Sequence, residues 1–368
     1  MSFEGVKDQD VAIATLKMAI RKNRLAHAYL FEGPDGVGKK LTAVVFAKAV
    51  NCEEGGDDSC DTCWACLRID EFNHPDVTVV EPLKAGRAIH VDTMEELIAR
   101  SSLTPYRGKY RVAIIVDAER MTDAAANKFL KTLEEPPGNS LFILVSHSPE
   151  QLPATIVSRC QRVKFHPIAP RTIAVLLTRD HGVSPDRAAV MSVLAQGHMT
   201  TASELAGSDK REFVTKMTAD LTEGSDPLVV LHAFLGRLKA DRDRLKESVA
   251  ADAPAAEADS EELAGRREAY LASLSKKEVL SYLNLMRAWY RDALVFAETG
   301  SIERLWNADQ AEAVAEQTRR LTHGEIARKL NAIARAETLL EHNVGEEQVF
   351  RDLFFSLSQL QTGVPHAG

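Results

Sequence analysis

The sequence has no long apolar run and no excess of basic residues, and each absence excludes a class of protein. No stretch approaches the roughly 18 apolar residues of a transmembrane helix. The N-terminal MSFEGVKDQD lacks the basic and then apolar segments of a secretory signal. We therefore expect a cytoplasmic protein with no membrane contact. The 45 basic and 53 acidic residues give a net charge of -8, whereas a protein that coats DNA is usually basic. Any contact with nucleic acid must be local or made by partners.

The composition is that of an ordinary globular protein without internal repeats. The 368 residues are 45% apolar and 27% charged, which is enough for two or three domains, each with its own core. In residues 1–167, the short apolar runs HAYLFEG, DVTVVEP, YRVAIIVDA, SLFILVSH and QRVKFHP alternate with helical segments. This alternation predicts an α/β domain, a parallel sheet with helices on both faces. In the helical segment TDAAANKFLKTLEEPP, Thr122 is the expected N-cap and Pro136 the expected stop.

The rest of the chain is predicted to be helical. Residues 168–206 form two short helical patterns that each end at a glycine, which predicts a small helical domain. Residues 207–368 are predicted to form an all-α domain. An Ala- and acid-rich stretch near 249–265 has no apolar periodicity, so we expect a mobile loop there.

The stretch LFEGPDGVGKK indicates a phosphate-binding loop, because G-x-x-x-x-G-K follows a strand and opens a helix. Its expected nucleotide-binding residues are Gly33, Gly36, Gly38, Lys39 and Lys40. Lys39 is the expected phosphate lysine, but Lys40 occupies the position of the Ser or Thr that normally binds Mg²⁺. An ammonium has no lone pair to donate to a metal. Lys40 either supplies positive charge beside the loop or points to solvent.

A second acidic position follows the apolar strand RVAIIVDAERM. Asp117 ends this strand, where a Walker B carboxylate would support Mg²⁺. The next position, which in hydrolysing P-loop proteins is usually a Glu that polarises the attacking water, is Ala118. Glu119 lies one residue late and would point in another direction, so we expect a solvated surface carboxylate there.

Four of the five cysteines cluster in the segment NCEEGGDDSCDTCWACLR. The spacing C-x7-C-x2-C-x2-C predicts a structural Zn²⁺ site with four thiolate ligands, Cys52, Cys60, Cys63 and Cys66. A reactive C-x-x-C pair is the alternative. Cys160 lies far away in the sequence and is expected to be a packed small residue. Its neighbour Arg159, in IVSRC, is an ordinary surface cation on the residues alone.

The motifs RLAHAYLFEGPDGVGKK, NHPDV, TDAAANKFLKTLEEPP and IVSRC occur in this order over residues 24–160. With the four-cysteine insertion, they resemble the bacterial clamp-loader branch of the AAA+ ATPases, the subunits that load the sliding clamp for DNA polymerase III. LKTLEEPP and SRC are the most specific parts. The helical remainder, including WYRDAL, resembles the lid and collar of that family more weakly.

The resemblance implies a subunit that has lost hydrolysis. The ATPase subunits gamma and tau carry G-K-[ST] and Asp-Glu, whereas this chain has GKK and DAE. In the lid, AQGHMTTASEL offers Thr200 and Thr201 where the family usually has an Arg. We therefore expect a non-catalytic stator that does not hold Mg²⁺ and in which ATP or ADP could bind only weakly.

The resemblance also implies a role for Arg159 and a set of partners. Arg159 would be an arginine finger that acts in trans on the ATP site of a neighbouring subunit. It should be exposed, with Ile156 and Val157 anchoring its loop and Cys160 packed inward. The implied partners are gamma or tau and delta, with the sliding clamp and primed DNA reached through the complex. The alternatives are an active AAA+ clamp-loader ATPase of the gamma/tau type and a zinc-dependent nucleic-acid-binding module.

Overall fold

The computed structural model describes residues 1–82, 88–251, 261–342 and 344–358. The chain divides into two compact units. The first comprises Met1–Leu176 and Gln196–Thr201, and the second comprises Leu177–Ala195 and the described residues from Ala202 onward. The predicted division at 167 and 206, with a separate lid, stays a prediction. Within the described ranges, no helix combines the length and apolarity that a membrane crossing requires.

The first unit is built on a five-stranded parallel sheet. Its strands are β1 (Ala28–Glu32), β2 (Val77–Val80), β3 (Arg111–Ile115), β4 (Ser140–Ser146) and β5 (Gln161–Lys164). Their spatial order is β2-β3-β4-β1-β5, and Leu30 of β1 pairs with Leu144 on one side and Arg162 on the other. All five predicted strands are confirmed. Because every pair is parallel, the loops that follow β1, β3 and β4 meet at one edge of the sheet.

Helices cover both faces of this sheet, as predicted. The helices of this unit are α1 (Asp10–Arg21), α2 (Lys39–Asn51), α3 (Trp64–Asp70), α4 (Val91–Ser101), α5 (Asp123–Glu134), α6 (Ala154–Val157) and the start of α7 (Pro170–His181). Side chains alternate across a strand. Leu30 accordingly packs in a core with Met94 of α4 and Phe129 of α5, whereas Phe31 faces Phe46 of α2.

The predicted boundaries of α5 are also confirmed. The Thr122 side chain accepts a hydrogen bond from the backbone N–H of Ala125, and the helix ends at Glu134, before Pro136. A hydroxyl at this position satisfies one of the free N–H groups at a helix start. Local chemistry therefore determines both ends of this helix.

The second unit is helical throughout its described residues. It contains the end of α7, α8 (Pro185–Leu194), most of α9 (Met199–Ala206), α10 (Lys210–Thr222), α11 (Pro227–Ala251), α12 (Glu261–Thr299), α13 (Ala311–Arg319), α14 (His323–Glu341) and α15 (Glu346–Leu357). Its core includes Phe234, whose ring contacts those of Tyr282, Phe350 and Phe354. The predicted all-α character is confirmed.

The predicted mobile loop near 249–265 is too long at both ends. The helix α11 continues to Ala251 and α12 begins at Glu261. Alanine and glutamate are good helix formers, so a helix can extend without apolar periodicity. Residues 252–260 lie outside the described residues.

The motif NHPDV contains Asp76, whose buried carboxylate has a structural role. It accepts hydrogen bonds from the backbone N–H groups of Tyr106 (2.7 Å), Arg107 (2.8 Å) and Gly108 (2.7 Å), and the guanidinium of Arg111 lies 3.6 Å away. Burial alone would raise the pKa of Asp76, but these donors outweigh it and hold the pKa below its usual value. The carboxylate thus fastens the loop before β3 to the start of β2.

We expect Asp76→Asn to destabilise the first unit by about 1–3 kcal/mol, because an amide nitrogen cannot accept the N–H groups that it would face. Since the folded-state pKa is lowered, the contribution of Asp76 is present at neutral pH and is lost as the pH falls through that pKa. Urea unfolding at neutral pH measures the effect. The exposed Glu150→Gln is the control and should change stability by less than about 0.5 kcal/mol. Equal stability of the two variants would contradict this account.

Candidate functional site

The loop between β1 and α2 has the strand–loop–helix geometry of a phosphate-binding loop. Gly33 and Gly36 have φ angles of 146° and 69°, which disfavour any residue with a side chain. A Cβ at Gly33 would lie 2.4 Å from the carbonyl oxygen of Phe165, and one at Gly36 would lie 3.0 Å from Thr200 Oγ1. Gly38 is the N-cap of α2. The glycines therefore allow the loop to lie directly against neighbouring backbone.

Lys39 is bonded to the loop that precedes it. Its side chain is only 6% exposed, and its ammonium donates to the carbonyl oxygens of Gly33 (2.7 Å) and Pro34 (2.5 Å). Burial lowers its pKa, although the carboxylates of Asp35, Glu119 and Asp117 act in the opposite direction. In this structure the expected phosphate lysine is hydrogen-bonded to the backbone of its own loop.

The start of α9 and the residue before it lie over the same loop. His198 Nδ1 donates to the carbonyl of Asp35 (2.8 Å), and the Met199 N–H donates to the carbonyl of Gly36 (3.1 Å). Both belong to the first unit. Thr200 lies against Gly36 as described above, at a position where the resembled family usually has an Arg. The backbone carbonyls of the loop therefore accept hydrogen bonds from Lys39 and from the His198–Met199 segment.

Lys40 pairs with a carboxylate after β2. Its ammonium lies 2.5 Å from Glu81 Oε2, and both side chains are partly exposed, by 41% and 49%. Of the two alternatives for this residue, an outward-directed side chain agrees better with the structure. The carboxylate of Glu81 therefore neutralises the charge of Lys40 at the protein surface.

Asp117 and Glu119 lie with His147 at the same edge of the sheet. Asp117 follows β3, and its φ of 51° turns the chain into a short 3-10 helix. The ligand atoms of the three residues lie within 4.8 Å of one another, so that the group could hold a metal ion. Burial and the neighbouring charge of Glu119 raise the pKa of Asp117. His147 follows β4, the strand beside β3.

The prediction that Glu119 is a solvated surface carboxylate is wrong. Its side chain is 2% exposed and forms an ion pair with His147 Nδ1. This hydrogen bond raises the pKa of His147. Burial alone would raise the pKa of Glu119, but hydrogen bonds from His147 and Ser146 outweigh it and lower the pKa. Strand alternation predicted that the side chain of Glu119 would point to solvent. The 3-10 turn that follows Asp117 directs it toward His147 instead.

His147 and His198 are functional-site residues that sequence reasoning missed. Each is a single histidine in a loop, which indicates nothing on its own. A usable signal existed for His147, because it directly follows a strong strand, and the carboxyl ends of parallel strands share an edge. No comparable signal marked His198.

Arg159 lies between α6 and β5, at the edge of the sheet. Its guanidinium donates to Glu134 Oε1 (2.7 Å) and to the carbonyl of Thr155 (3.0 Å). The two charged side chains are 35% and 53% exposed, so this is a surface ion pair. Ile156 is fully buried. Partial exposure thus agrees with the expectation, whereas the pair with Glu134 was not foreseen.

Cys160 packs against the same core as Val157, as expected. Burial raises the pKa of the Cys160 thiol to about 12. A thiol in this environment stays protonated and is unreactive. The residue after Arg159 therefore anchors the loop by packing.

The four clustered cysteines lie close enough to bind one metal ion. Their sulfur atoms are within 4.8 Å of one another. Cys52 ends α2, Cys63 is the N-cap of α3 and Cys66 lies within α3. The sulfur atoms of Cys60 and Cys66 are 3.9 Å apart, near the roughly 3.8 Å that tetrahedral Zn–S bonds of about 2.3 Å require. All four cysteines are free thiols.

The environment of the sulfur atoms also fits a cation. Hydrogen bonds from the hydroxyl and backbone N–H of Thr62, and from the N–H of Cys63, lower the pKa of Cys60 to about 6. Burial raises the pKa of Cys52 and of Cys66. Buried thiols of this kind become thiolates when a metal neutralises them. Four such sulfur atoms could thus hold one metal ion.

The chain is similar to known subunits of DNA polymerase III. Residues 8–169 match the family model described as "DNA polymerase III, delta subunit". The chain is 38% identical over 194 residues to DNA polymerase III subunit delta' of Bacillus subtilis, covering 52% of this chain and 57% of that protein. It is 34% identical over 206 residues to subunit delta' of Pseudomonas aeruginosa, covering 55% and 62%.

A third relative is a subunit of another type by name. Subunit tau of Bacillus subtilis is 39% identical over 172 residues, which are 46% of this chain and 30% of that protein. The resemblance to DNA polymerase III subunits of the delta' and tau type is thereby confirmed. The chain spans 57% to 62% of the length of the two delta' relatives. Identity alone does not separate delta' from tau, so the distinction depends on the site.

We expect the freshly purified, reduced chain to contain about one Zn²⁺. Cys66→Ser should lose most of the metal, because three thiolates leave the tetrahedral site incomplete. Structural zinc can contribute roughly 10–16 kcal/mol of apparent binding free energy, so chelation should loosen residues 52–66. Mass-spectrometric metal analysis gives the content. Cys160→Ser is the matched control and should retain the metal. Wild-type protein free of zinc, or equal zinc in both variants, would exclude this site.

Proposed function

We propose that this chain is a clamp-loader subunit of the delta-prime type that does not hydrolyse ATP at its own loop. It would assemble with gamma or tau and delta subunits in the cytoplasm and help to load the sliding clamp onto primed DNA. One observation carries the proposal. Lys40 occupies the place of the metal-binding hydroxyl, and its ammonium pairs with Glu81.

The neighbouring residues support a loss of catalysis. Ala118 is buried and has no group that could polarise water. The ammonium of Lys40 cannot bind Mg²⁺, and its charge is paired with Glu81. Phosphoryl transfer depends mainly on a positioned metal ion and an oriented nucleophile. This chain lacks the hydroxyl that would bind the metal ion and the adjacent carboxylate that would orient the nucleophile. Nucleotide would therefore bind weakly or without metal.

The buried position of Glu119 favours the alternative, an active ATPase. A carboxylate in the site, beside Asp117, could replace the missing water-polarising residue. Against this, its ion pair with His147 already engages the carboxylate. Turnover by the isolated chain decides between the two functions.

Arg159 is the group that we propose to act on a neighbouring subunit. A guanidinium is permanently charged and can bond two phosphate oxygens at once. Its pair with Glu134 is partly exposed, and surface pairs of this kind contribute about 0–1 kcal/mol. Phosphate oxygens of a neighbour could therefore replace Glu134 at little cost. The buried Ile156 and the packed Cys160 would hold the loop in place during that exchange.

We expect Lys40→Thr to leave ATP turnover by the isolated chain at background. The new hydroxyl can support Mg²⁺, but Ala118 still cannot polarise water and Glu119 is paired with His147. Any gain should be confined to Mg²⁺-dependent nucleotide binding. Phosphate release and nucleotide titration with and without Mg²⁺ measure the two effects separately. If the wild-type chain alone turns over ATP at ordinary AAA+ rates, and Lys39→Ala abolishes that turnover, the stator assignment is wrong.

We expect Arg159→Ala and Arg159→Lys to assemble normally but to reduce hydrolysis in the complex by at least about tenfold. An arginine finger is worth roughly 10³–10⁵ in rate, and the other ATP sites would keep their own. A lysine cannot reproduce the planar two-point contact. The measurement is DNA- and clamp-stimulated ATP hydrolysis by this chain reconstituted with gamma or tau and delta.

Two controls separate a trans effect from a structural one. Glu134→Gln removes the present partner of Arg159 and should leave hydrolysis near the wild-type rate. Lys128→Ala removes another partly exposed cation, which pairs with Glu95. Size-exclusion chromatography checks assembly of every variant. A wild-type rate in the assembled Arg159→Ala complex would return Arg159 to the status of a surface cation.

A further inference from the structure

One face of α1 is apolar and exposed. Val11, Ala14 and Met18 recur at helical spacing along this face, and the side chains of Val11 and Met18 are 76% and 53% exposed. The opposite face is buried through Ala12 and Leu16. Single exposed apolar residues are common on surfaces, but a row along one helix face indicates a contact surface.

A groove runs beside this face. One wall comprises residues 11–24, and the other comprises residues 161–166 of β5 and the turn after it. Two adjoining cavities of about 420 and 380 Å³ make up this α1–β5 groove. Both walls belong to the first unit. The groove does not involve the phosphate-binding loop.

The charge of the α1–β5 groove is opposite to that of the whole chain. Its lining includes Lys22, Arg24, Arg162 and Lys164 and no carboxylate, although the chain carries a net charge of -8. Only Arg162 is paired, with Glu32 at 2.8 Å. Lys22, Arg24 and Lys164 are exposed and form no ion pair with any residue that the structure describes. An acidic partner would meet three unpaired cations beside an apolar row.

The form of the groove favours a helix over an added strand. β5 has only four residues, and its exposed Arg162 and Lys164 are the charged side chains that discourage strand addition at an edge. Past the strand, the amide of Gln9 already bonds both backbone groups of His166, at 2.9 and 2.7 Å. The apolar row spans about 10 Å along α1, which matches two turns of a partner helix.

The lining also disfavours nucleic acid. It contains no Phe, Tyr or Trp on which a base could stack. The row of Val11, Ala14 and Met18 would gain nothing from phosphates. We propose that the α1–β5 groove binds an acidic amphipathic helix of a partner protein, which packs its apolar face on Val11 and Met18 and places carboxylates near Lys22, Arg24 and Lys164. This mode combines helix-in-groove packing with charge complementarity.

The test is a fluorescence anisotropy titration of the full chain with a labelled helical peptide of about 20 residues, built from Glu-Leu-Glu-Ala-Leu-Glu-Ala repeats. We expect saturable binding that weakens with added salt. Met18→Asp should weaken it by at least about tenfold, and so should Lys22→Glu with Lys164→Glu. The matched control, Lys216→Glu with Lys239→Glu, makes the same charge change at exposed positions of α10 and α11 and should bind normally.

Two further probes identify the chemistry of the occupant. Poly-glutamate of similar length lacks the apolar face and should bind at least about tenfold more weakly than the peptide. A single-stranded DNA oligonucleotide should not compete. Circular dichroism and thermal unfolding confirm that each variant is folded. Absence of saturable peptide binding, equal loss in the control variant, or tighter binding of poly-glutamate or DNA would overturn the proposal. None of these outcomes depends on ATP hydrolysis or on Arg159.

Discussion

The hydrogen bonds from the Lys39 ammonium to the carbonyls of Gly33 and Pro34 organise the functional edge of the first unit. A buried ammonium is costly unless acceptors surround it. The loop supplies those acceptors by turning its carbonyls toward the side chain, and its glycines allow the necessary backbone angles. The loop then presents the carbonyls of Asp35 and Gly36 to His198 and Met199. These hydrogen bonds join the loop, the start of α2 and the His198–Met199 segment.

The charged groups at this edge differ in how strongly they are engaged. Lys39 and Glu119 are buried and have partners within the site. Their rearrangement would expose or strand a charge, which costs several kcal/mol. Arg159, in contrast, has a partly exposed carboxylate partner, Glu134, and one backbone carbonyl, that of Thr155. A chain whose own site pairs Glu119 with His147, and whose outward cation is weakly held, suits the proposed action on a neighbouring subunit.

The charges of the cysteine thiolates in residues 52–66 also require partners. Two of the sulfur atoms are bonded by backbone N–H groups, and two are buried. Such a cluster tolerates several thiolates only beside a cation. The metal would then join the end of α2 to α3, and so support the helix that begins at the phosphate-binding loop.

Much of the fold could be predicted because it depends on local patterns. The five strands are apolar runs bounded by Gly, Pro or charge, and the start of α5 depends on the hydroxyl of Thr122. The close approach of the four cysteines was likewise predictable from spacing alone. The boundaries of the loop near 249–265 were not, because helix propensity extended α11 and α12 without an apolar pattern.

The sequence by itself determined that Lys40 cannot be a metal ligand and that Ala118 cannot be a base, since no fold can change the chemistry of these side chains. Only the tertiary structure decided where the remaining groups act. Glu119 is buried because a 3-10 turn redirects it to His147, which lies 28 residues away in the chain. Residues so far apart in the sequence meet because β3 and β4 are neighbours in the sheet. That strand order depends on packing between segments and not on any local pattern.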